Sequence, residues 1–161
     1  MNKPMDRRAL LGLGALAGSA LLLFGRTSGA NAMAFAINRS PDQWRRQLGP
    51  QRYHILREAG TERAFTSPLN NEHRKGIFVC AGCAQPLFSS ATKFDSGTGW
   101  PSFSKALPRS TVTRGERNLF FGTEILCSRC GGHLGHVFND GPKPTGLRYC
   151  MNGLALNFRA A

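Results

Sequence analysis

Residues 127–153 read CSRCGGHLGHVFNDGPKPTGLRYCMNG. The stretch begins with a Cys-x-x-Cys pair, Cys127 and Cys130, and ends around Cys150, a cysteine with no such neighbour. A second pair, Cys80-Ala-Gly-Cys83, lies upstream with 43 residues between the two, and these five are all the cysteines of the 161-residue chain. Each pair aims two sulfurs at one point, and four thiolates complete the closed tetrahedral shell of a structural zinc. Two matched pairs specify this more strongly than one, because a lone Cys-x-x-Cys also fits a redox site. Two local disulfides are the competing arrangement. Export would permit them, but the spacing strains them and the glycines suit metal knuckles. One zinc on Cys80, Cys83, Cys127 and Cys130 is therefore expected, with Cys150 left over as a free thiol.

His133 and His136 follow the second pair too closely to join Cys127 and Cys130 around one tetrahedron, since histidine ligands are usually spaced more widely. Gly131, Gly132, Gly135 and Gly141 around them bring backbone close to something and place the imidazoles in a loop or at a strand edge. Spacing alone leaves catalysis and structural packing both open for the pair.

Further outward, short apolar runs alternate with Gly, Pro, Ser and Asn punctuation: GIFVC, PLF, TVTR, NLFFGTEILC, HVF, LRYCM and LALNF. These are strand signals. In LALNF, Leu154, Leu156 and Phe158 alternate as one buried face. The pattern predicts a mainly β body of twisted antiparallel strands. Before it, Ser40-Pro41-Asp42-Gln43 has the form of a capping box with Pro at the first helical position. Trp44 and Leu48 share a helical face until Gly49-Pro50 stops the pattern, and a second helix runs from Pro50 towards Gly60 on Tyr53, Ile55 and Leu56. The length suits one domain with attachments.

One attachment is N-terminal. Asp6-Arg7-Arg8 precedes an uncharged run from Ala9 to Phe24, shorter than the ~20 residues of a membrane span, and Ala30-Asn31-Ala32 has the form of a cleavage site. Residues 1–32 read as a signal peptide, residues 33–40 as a linker and 41–158 as the domain. The paired arginines and the glycines in the apolar run resemble the twin-arginine export signal, with a Sec signal carrying coincidental arginines or an uncleaved anchor as the competing readings; export places the mature protein in the periplasm with no stable membrane span. Removing the leader takes Lys3, Arg7, Arg8 and Arg26 against Asp6, so the formal charge falls from +12 by a net three to +9. The basic residues are scattered singly or in pairs, which argues for a solvated surface and against a nucleic-acid partner.

Taken together, CAGCAQPLFSS, KFDSGTGWPSF, CSRCGGHLGHVFNDGPKPTGLRYCMNG and ALNF resemble the B-type methionine sulfoxide reductases, over roughly residues 41–158. The resemblance implies two packed antiparallel sheets with short N-terminal helices, a structural zinc opposite the active site, and reduction of methionine-R-sulfoxide in proteins or peptides; a monomer is expected. It assigns Cys150 as the catalytic cysteine, His133 and His136 as active-site histidines, Asn152 as a polar partner, Arg148 as a nearby cation and Trp100 as the wall for the substrate methyl group. These types suit the chemistry: a thiolate attacks the electron-poor sulfur, an acid carries off its basic oxygen, and a sulfenic acid is left on the cysteine. Many relatives read Ser-Gly-Cys-Gly-Trp before the tryptophan, with a resolving cysteine. Here the loop is Ser96-Gly97-Thr98-Gly99-Trp100, so an external thiol, thioredoxin-like or small, must discharge the sulfenic acid. Two other classes compete: a basic zinc ribbon that binds nucleic acid, which leaves Cys150 and the histidines unexplained, and a thiol oxidoreductase working through its Cys-x-x-Cys pairs.

Overall fold

A computed structural model describes residues 34–115 and 121–161; the leader assigned to residues 1–32 lies outside them. The helical element α1 (Pro41–Glu58) starts as the capping box requires: Gln43 N donates to Ser40 Oγ at 3.3 Å and Ser40 N to Gln43 Oε1 at 2.9 Å. It is two helical segments joined at Gly49, whose φ of 69° and ψ of 171° are not helical, and Pro50 restarts the helix where its missing N–H costs nothing. Trp44, Leu48, Ile55 and Leu56 are the buried face.

Among the described residues nine strands form two antiparallel sheets. β1 (Gly76–Cys80) lies between β2 (Pro86–Ser89) and β9 (Leu156–Ala160) in a three-stranded sheet. The other sheet holds β3 (Lys93–Phe94), β4 (Ser102–Phe103), β5 (Thr111–Arg114), β6 (Thr123–Cys127), β7 (His133–Phe138) and β8 (Arg148–Met151), in the order β3-β4-β8-β7-β6-β5. Phe78 of the first sheet meets Phe103 of the second edge to face at 4.9 Å, and Phe88 stacks on Phe103 at 4.4 Å, all three fully buried. That aromatic cluster, with Leu87, Ile125, Leu134, Met151 and Leu156, is the core between the sheets. No helix among the described residues is long and apolar enough to cross a membrane.

The two sheets and the broken N-terminal helix agree with the sequence expectation. Three details differ. Leu154 falls in a 3-10 turn, Gly153–Ala155, and β9 begins only at Leu156, because the Ala155 N–H closes back on the Asn152 carbonyl. β3 and β4 are two residues each, too short to show a period. And the histidines lie neither in a loop nor at an edge: β7 is interior, between β8 and β6.

Pairing shifts register between Ile125 and Leu126, where Ile125 faces Gly135 and Leu126 faces His133. Leu134 is thus an extra residue, a β-bulge. His133 and His136 are three apart and belong on opposite faces of a regular strand. The bulge removes one step and brings both rings to one side, with centroids 5.4 Å apart. At Gly135 (φ 151°) a Cβ would strike the Cys150 carbonyl oxygen and come within 3.0 Å of Met151 Cα, so only glycine lets β7 approach β8 here. Replacing Gly135 by Ala is expected to cost about 2 kcal/mol or more of stability, measured by denaturant unfolding of the zinc-loaded protein.

Candidate active site and metal centre

The register of the six-stranded sheet lines up one row across five strands. Ser102 on β4 pairs with Cys150 on β8, Cys150 with His136 on β7, His136 with Glu124 on β6, and Glu124 with Arg114 on β5. Directly opposed residues project to the same face, so a hydroxyl, a thiol, an imidazole, a carboxylate and a guanidinium share one side. Tyr149 and Met151, either side of Cys150, turn the other way, and Met151 is fully buried. A slip of one residue would bury the thiol.

Cys150 is half-buried at a pocket of about 150 Å³ that Trp100, His136, Phe138, Gly135, Met151, Asn152 and Thr61 also line. A larger cavity of about 570 Å³ lies between α1, the Thr61–Leu69 segment and β9. It contains no cysteine, and it meets the smaller pocket at Thr61. The smaller one, which holds Cys150, is therefore the candidate site.

The charges around the thiol are fixed by pairs. Arg148 donates to both Asp140 oxygens, at 2.8 and 2.7 Å, and its guanidinium lies 4.2 Å from the centre of the Phe138 ring. The Asp140 hydrogen bonds, despite burial, raise Arg148 above its ordinary value, and the Cys150 sulfur adds to this. Arg148 in turn holds Asp140 below the usual carboxylate range. Burial opposes ionisation of Glu124, but hydrogen bonds from Arg114 at 2.6 and 2.7 Å and from His133 Nδ1 at 2.8 Å outweigh it and keep its carboxyl below the ordinary value. Burial and the neighbouring His133 depress His136, against a smaller opposing pull from Glu124. His133 is 3% exposed, and its Nε2 is buried with no hydrogen-bond partner among the described residues.

One acidic residue organises the opposite wall. Glu62, 8% exposed, accepts from the Gly153 N–H and, at 2.9 Å, from the Leu154 N–H. Its own N–H donates to Asn152 Oδ1 at 2.9 Å, and its carbonyl accepts the Trp100 Nε1–H at 3.1 Å. Asn152 also donates through Nδ2 to the Leu134 carbonyl at 3.3 Å. Asn152 is thus fastened between Glu62 and the β7 bulge.

Cys80, Cys83, Cys127 and Cys130 converge, with their sulfurs all within 4.8 Å of one another. Cys80 and Cys130 are 3.8 Å apart and Cys83 and Cys127 are 3.5 Å apart, far beyond the ~2.05 Å of a disulfide. A zinc tetrahedron with Zn–S bonds of about 2.3 Å has sulfur–sulfur edges of about 3.8 Å, so the four fit the ion. Hydrogen bonding to Cys127 pushes the Cys80 and Cys130 thiols up. Contacts with Cys127 hold Cys83 down, and contacts with Cys130 hold Cys127 down. A dication supplies the charge that lets all four ionise. α1 covers the site: Gln47 Nε2 donates to the Gly82 carbonyl at 2.6 Å and Arg57 to the Cys130 carbonyl at 3.0 Å.

Every residue singled out in the sequence is therefore placed: the four cysteines together, and Cys150, His136, Asn152 and Trp100 around one pocket, with Arg148 and His133 behind it. Glu62, Glu124 and Asp140 were missed. Glu124 carried one signal, a charge inside an otherwise apolar strand. Glu62 and Asp140 carried none, because their partners lie in other elements.

The SelR domain matches residues 48–160 of the chain. A protein of Thiobacillus denitrificans called peptide methionine sulfoxide reductase MsrB is 58% identical over 119 residues, covering 72% of this chain and 89% of that one. The protein of the same name in Agrobacterium fabrum is 55% identical over 124 residues, covering 76% and 92%. Another, in Leptospira interrogans, is 52% identical over 130 residues, covering 79% and 98%.

Two outcomes follow from the geometry. Metal analysis of the purified protein should give one zinc per chain, and stripping it with a chelator should lower the melting temperature by more than about 10 °C. Glu62→Gln, which leaves a buried backbone N–H facing an amide in place of a carboxylate, should cost about 1–3 kcal/mol in thermal unfolding.

Proposed function

We propose, from the premise that the chain belongs to the SelR family of B-type peptide methionine sulfoxide reductases, that Cys150 is the nucleophile with which it reduces methionine-R-sulfoxide in oxidised polypeptides. The observation that carries this reading is the convergence of Cys150, His136, Asn152 and Trp100 on one small pocket. Arg148, held charged by Asp140, is a cation two residues from Cys150 along the strand. His136, opposite Cys150, takes the thiol proton and returns it to the sulfoxide oxygen. An imidazole whose basicity burial has weakened gives its proton up readily. Trp100, fastened through Nε1, offers a flat apolar wall to the S-methyl group. The Glu124–His133 pair sets the field behind His136, and Asn152 fixes the wall beside it.

The step balances. Cys150 thiol and sulfoxide become Cys150 sulfenic acid and sulfide, the oxygen passing from one sulfur to the other with two electrons moving the opposite way. An external thiol then attacks the Cys150 sulfur, water leaves, and a second thiol releases the enzyme from the mixed disulfide. No cysteine of the chain is available for this: the side chain beside Cys150 is Thr98, whose Oγ1 is 3.7 Å from Sγ, and the other four sulfurs form the metal cluster. The zinc site holds the fold and takes no part in the redox step.

The twin arginines, the short apolar run and the Ala-x-Ala site of residues 1–32 support export of the folded, zinc-loaded domain to the periplasm, where it repairs oxidised proteins. The mature protein is expected to reduce the R but not the S epimer of a methionine sulfoxide peptide with dithiothreitol as reductant. Cys150→Ser should abolish turnover while keeping zinc and the folded melting curve, and turnover surviving in that variant would overturn the assignment.

A further inference from the structure

Three hydroxyls lead away from the Cys150 sulfur. Thr98 Oγ1 is 3.7 Å from Sγ, Ser96 Oγ is 2.8 Å from Thr98 Oγ1, Ser102 Oγ is 2.8 Å from Ser96 Oγ, and Ser102 donates to the Trp100 carbonyl at 3.2 Å. Ser102 is fully buried and pairs with Cys150 across the sheet, so the far end of the chain is as fixed as the thiol. The loop between is tied down as well. The Gly99 carbonyl accepts from Phe65 N at 2.7 Å and Asn70 Nδ2 at 2.9 Å, and Gly97 N donates to Asp95 Oδ1 at 2.9 Å.

Each hydroxyl carries one proton, while the carbonyl at the end can only accept. With Cys150 a neutral thiol, all protons must point one way: S–H to Thr98, Thr98 to Ser96, Ser96 to Ser102, Ser102 to the Trp100 carbonyl. When the thiol gives up its proton to His136, three rotations about C–O bonds reverse the direction. Ser102 then donates to Ser96, Ser96 to Thr98, and Thr98 to the thiolate. The reversal gives up two neutral hydrogen bonds, S–H to Thr98 and Ser102 to the carbonyl, and gains one to a charged sulfur, the stronger kind. The Thr98 N–H, 3.5 Å from Ser96 Oγ, is directed to a lone pair that stays free in both arrangements.

We propose that Thr98 is a catalytic residue: its hydroxyl, backed by Ser96 and Ser102, donates to the Cys150 thiolate and raises the fraction of the enzyme ready to attack the sulfoxide. The proposal rests on Cys150 being the nucleophile. The residue that cannot form a disulfide thereby serves the first half of the cycle, while the second half is left to an outside thiol.

The test is the rate of Cys150 alkylation by iodoacetamide across pH, on zinc-loaded protein without substrate, together with kcat/KM for a methionine-R-sulfoxide peptide. The other groups that face the thiol are His136 on β7, backed by His133 and Glu124, and Arg148 on β8 with its Asp140. All are the same in every variant. Thr98→Val should alkylate about tenfold more slowly at neutral pH, the loss of one charge-assisted hydrogen bond, with the gap closing at alkaline pH. Its kcat/KM should fall in step. Thr98→Ser should restore both, and Ser96→Ala should show a smaller deficit of the same form. Thr98→Val alkylating like the parent at all pH values, or Thr98→Ser failing to rescue, sinks the proposal. Turnover in Cys150→Ser would instead sink the reading on which it rests.

Discussion

Four sulfurs within 4.8 Å of one another hold this molecule's two sheets in one relation. Cys80 ends β1 and Cys83 lies in the turn before β2, both in the three-stranded sheet. Cys127 ends β6 and Cys130 lies in the turn before β7, both in the six-stranded sheet. The zinc that these thiolates bind therefore joins one sheet to the other at a single point. Each knuckle is closed by its own backbone, Ala84 N to Cys80 O at 2.8 Å and Gly131 N to Cys127 O at 2.9 Å, so both turns offer their sulfurs already convergent. α1 packs over the knuckles through Trp44, on whose ring Arg39 and Arg57 each lie at 5.0 Å. The Phe78–Phe103–Phe88 cluster fills the space between the sheets. A metal crosslink lets a domain of this size build its core from short strands, two of them only two residues long.

From that fixed relation the active face follows by register. β7 leaves the second knuckle, and its third residue beyond Cys130 is already His133. The bulge at Leu134 then decides that His136 comes up on the same side, opposite Cys150 and Glu124. Cys127, at the end of β6, and Cys150, on β8, thus belong to one sheet with β7 between them. The metal cluster and Cys150 differ in chemistry as well as in position: four thiolates share a dication, while the fifth sulfur has a guanidinium, an imidazole and a threonine hydroxyl around it.

The polar groups of the face form two kinds of network. Arg114–Glu124 and Asp140–Arg148 are ion pairs, and His133 Nδ1 is hydrogen-bonded to the Glu124 carboxylate. Thr98–Ser96–Ser102 is neutral and reversible, so it follows the charge on sulfur instead of opposing it. Glu62 belongs to neither. It is a clamp that holds Trp100 by its carbonyl, Asn152 by its N–H and the turn after Cys150 by its carboxylate.

Much of this was legible in the residues. The cysteine spacing specified the metal ligands because coordination needs only local pairs and a count of four. The punctuation of apolar runs specified antiparallel strands because side chains alternate with period two, and Ser40 to Gln43 marked the helix start because a capping box is local. The resemblance to the reductases named Cys150, His133, His136, Asn152, Arg148 and Trp100. What only the tertiary structure decided is everything that depends on register between distant segments: the row from Ser102 to Arg114, the bulge that turns two histidines to one face, the Glu62 clamp reaching across some ninety residues to Gly153, and the hydroxyl chain behind Thr98. Local rules fix which way a side chain points along its own strand. Which partner it meets is set by pairing, and pairing is a property of the whole folded chain.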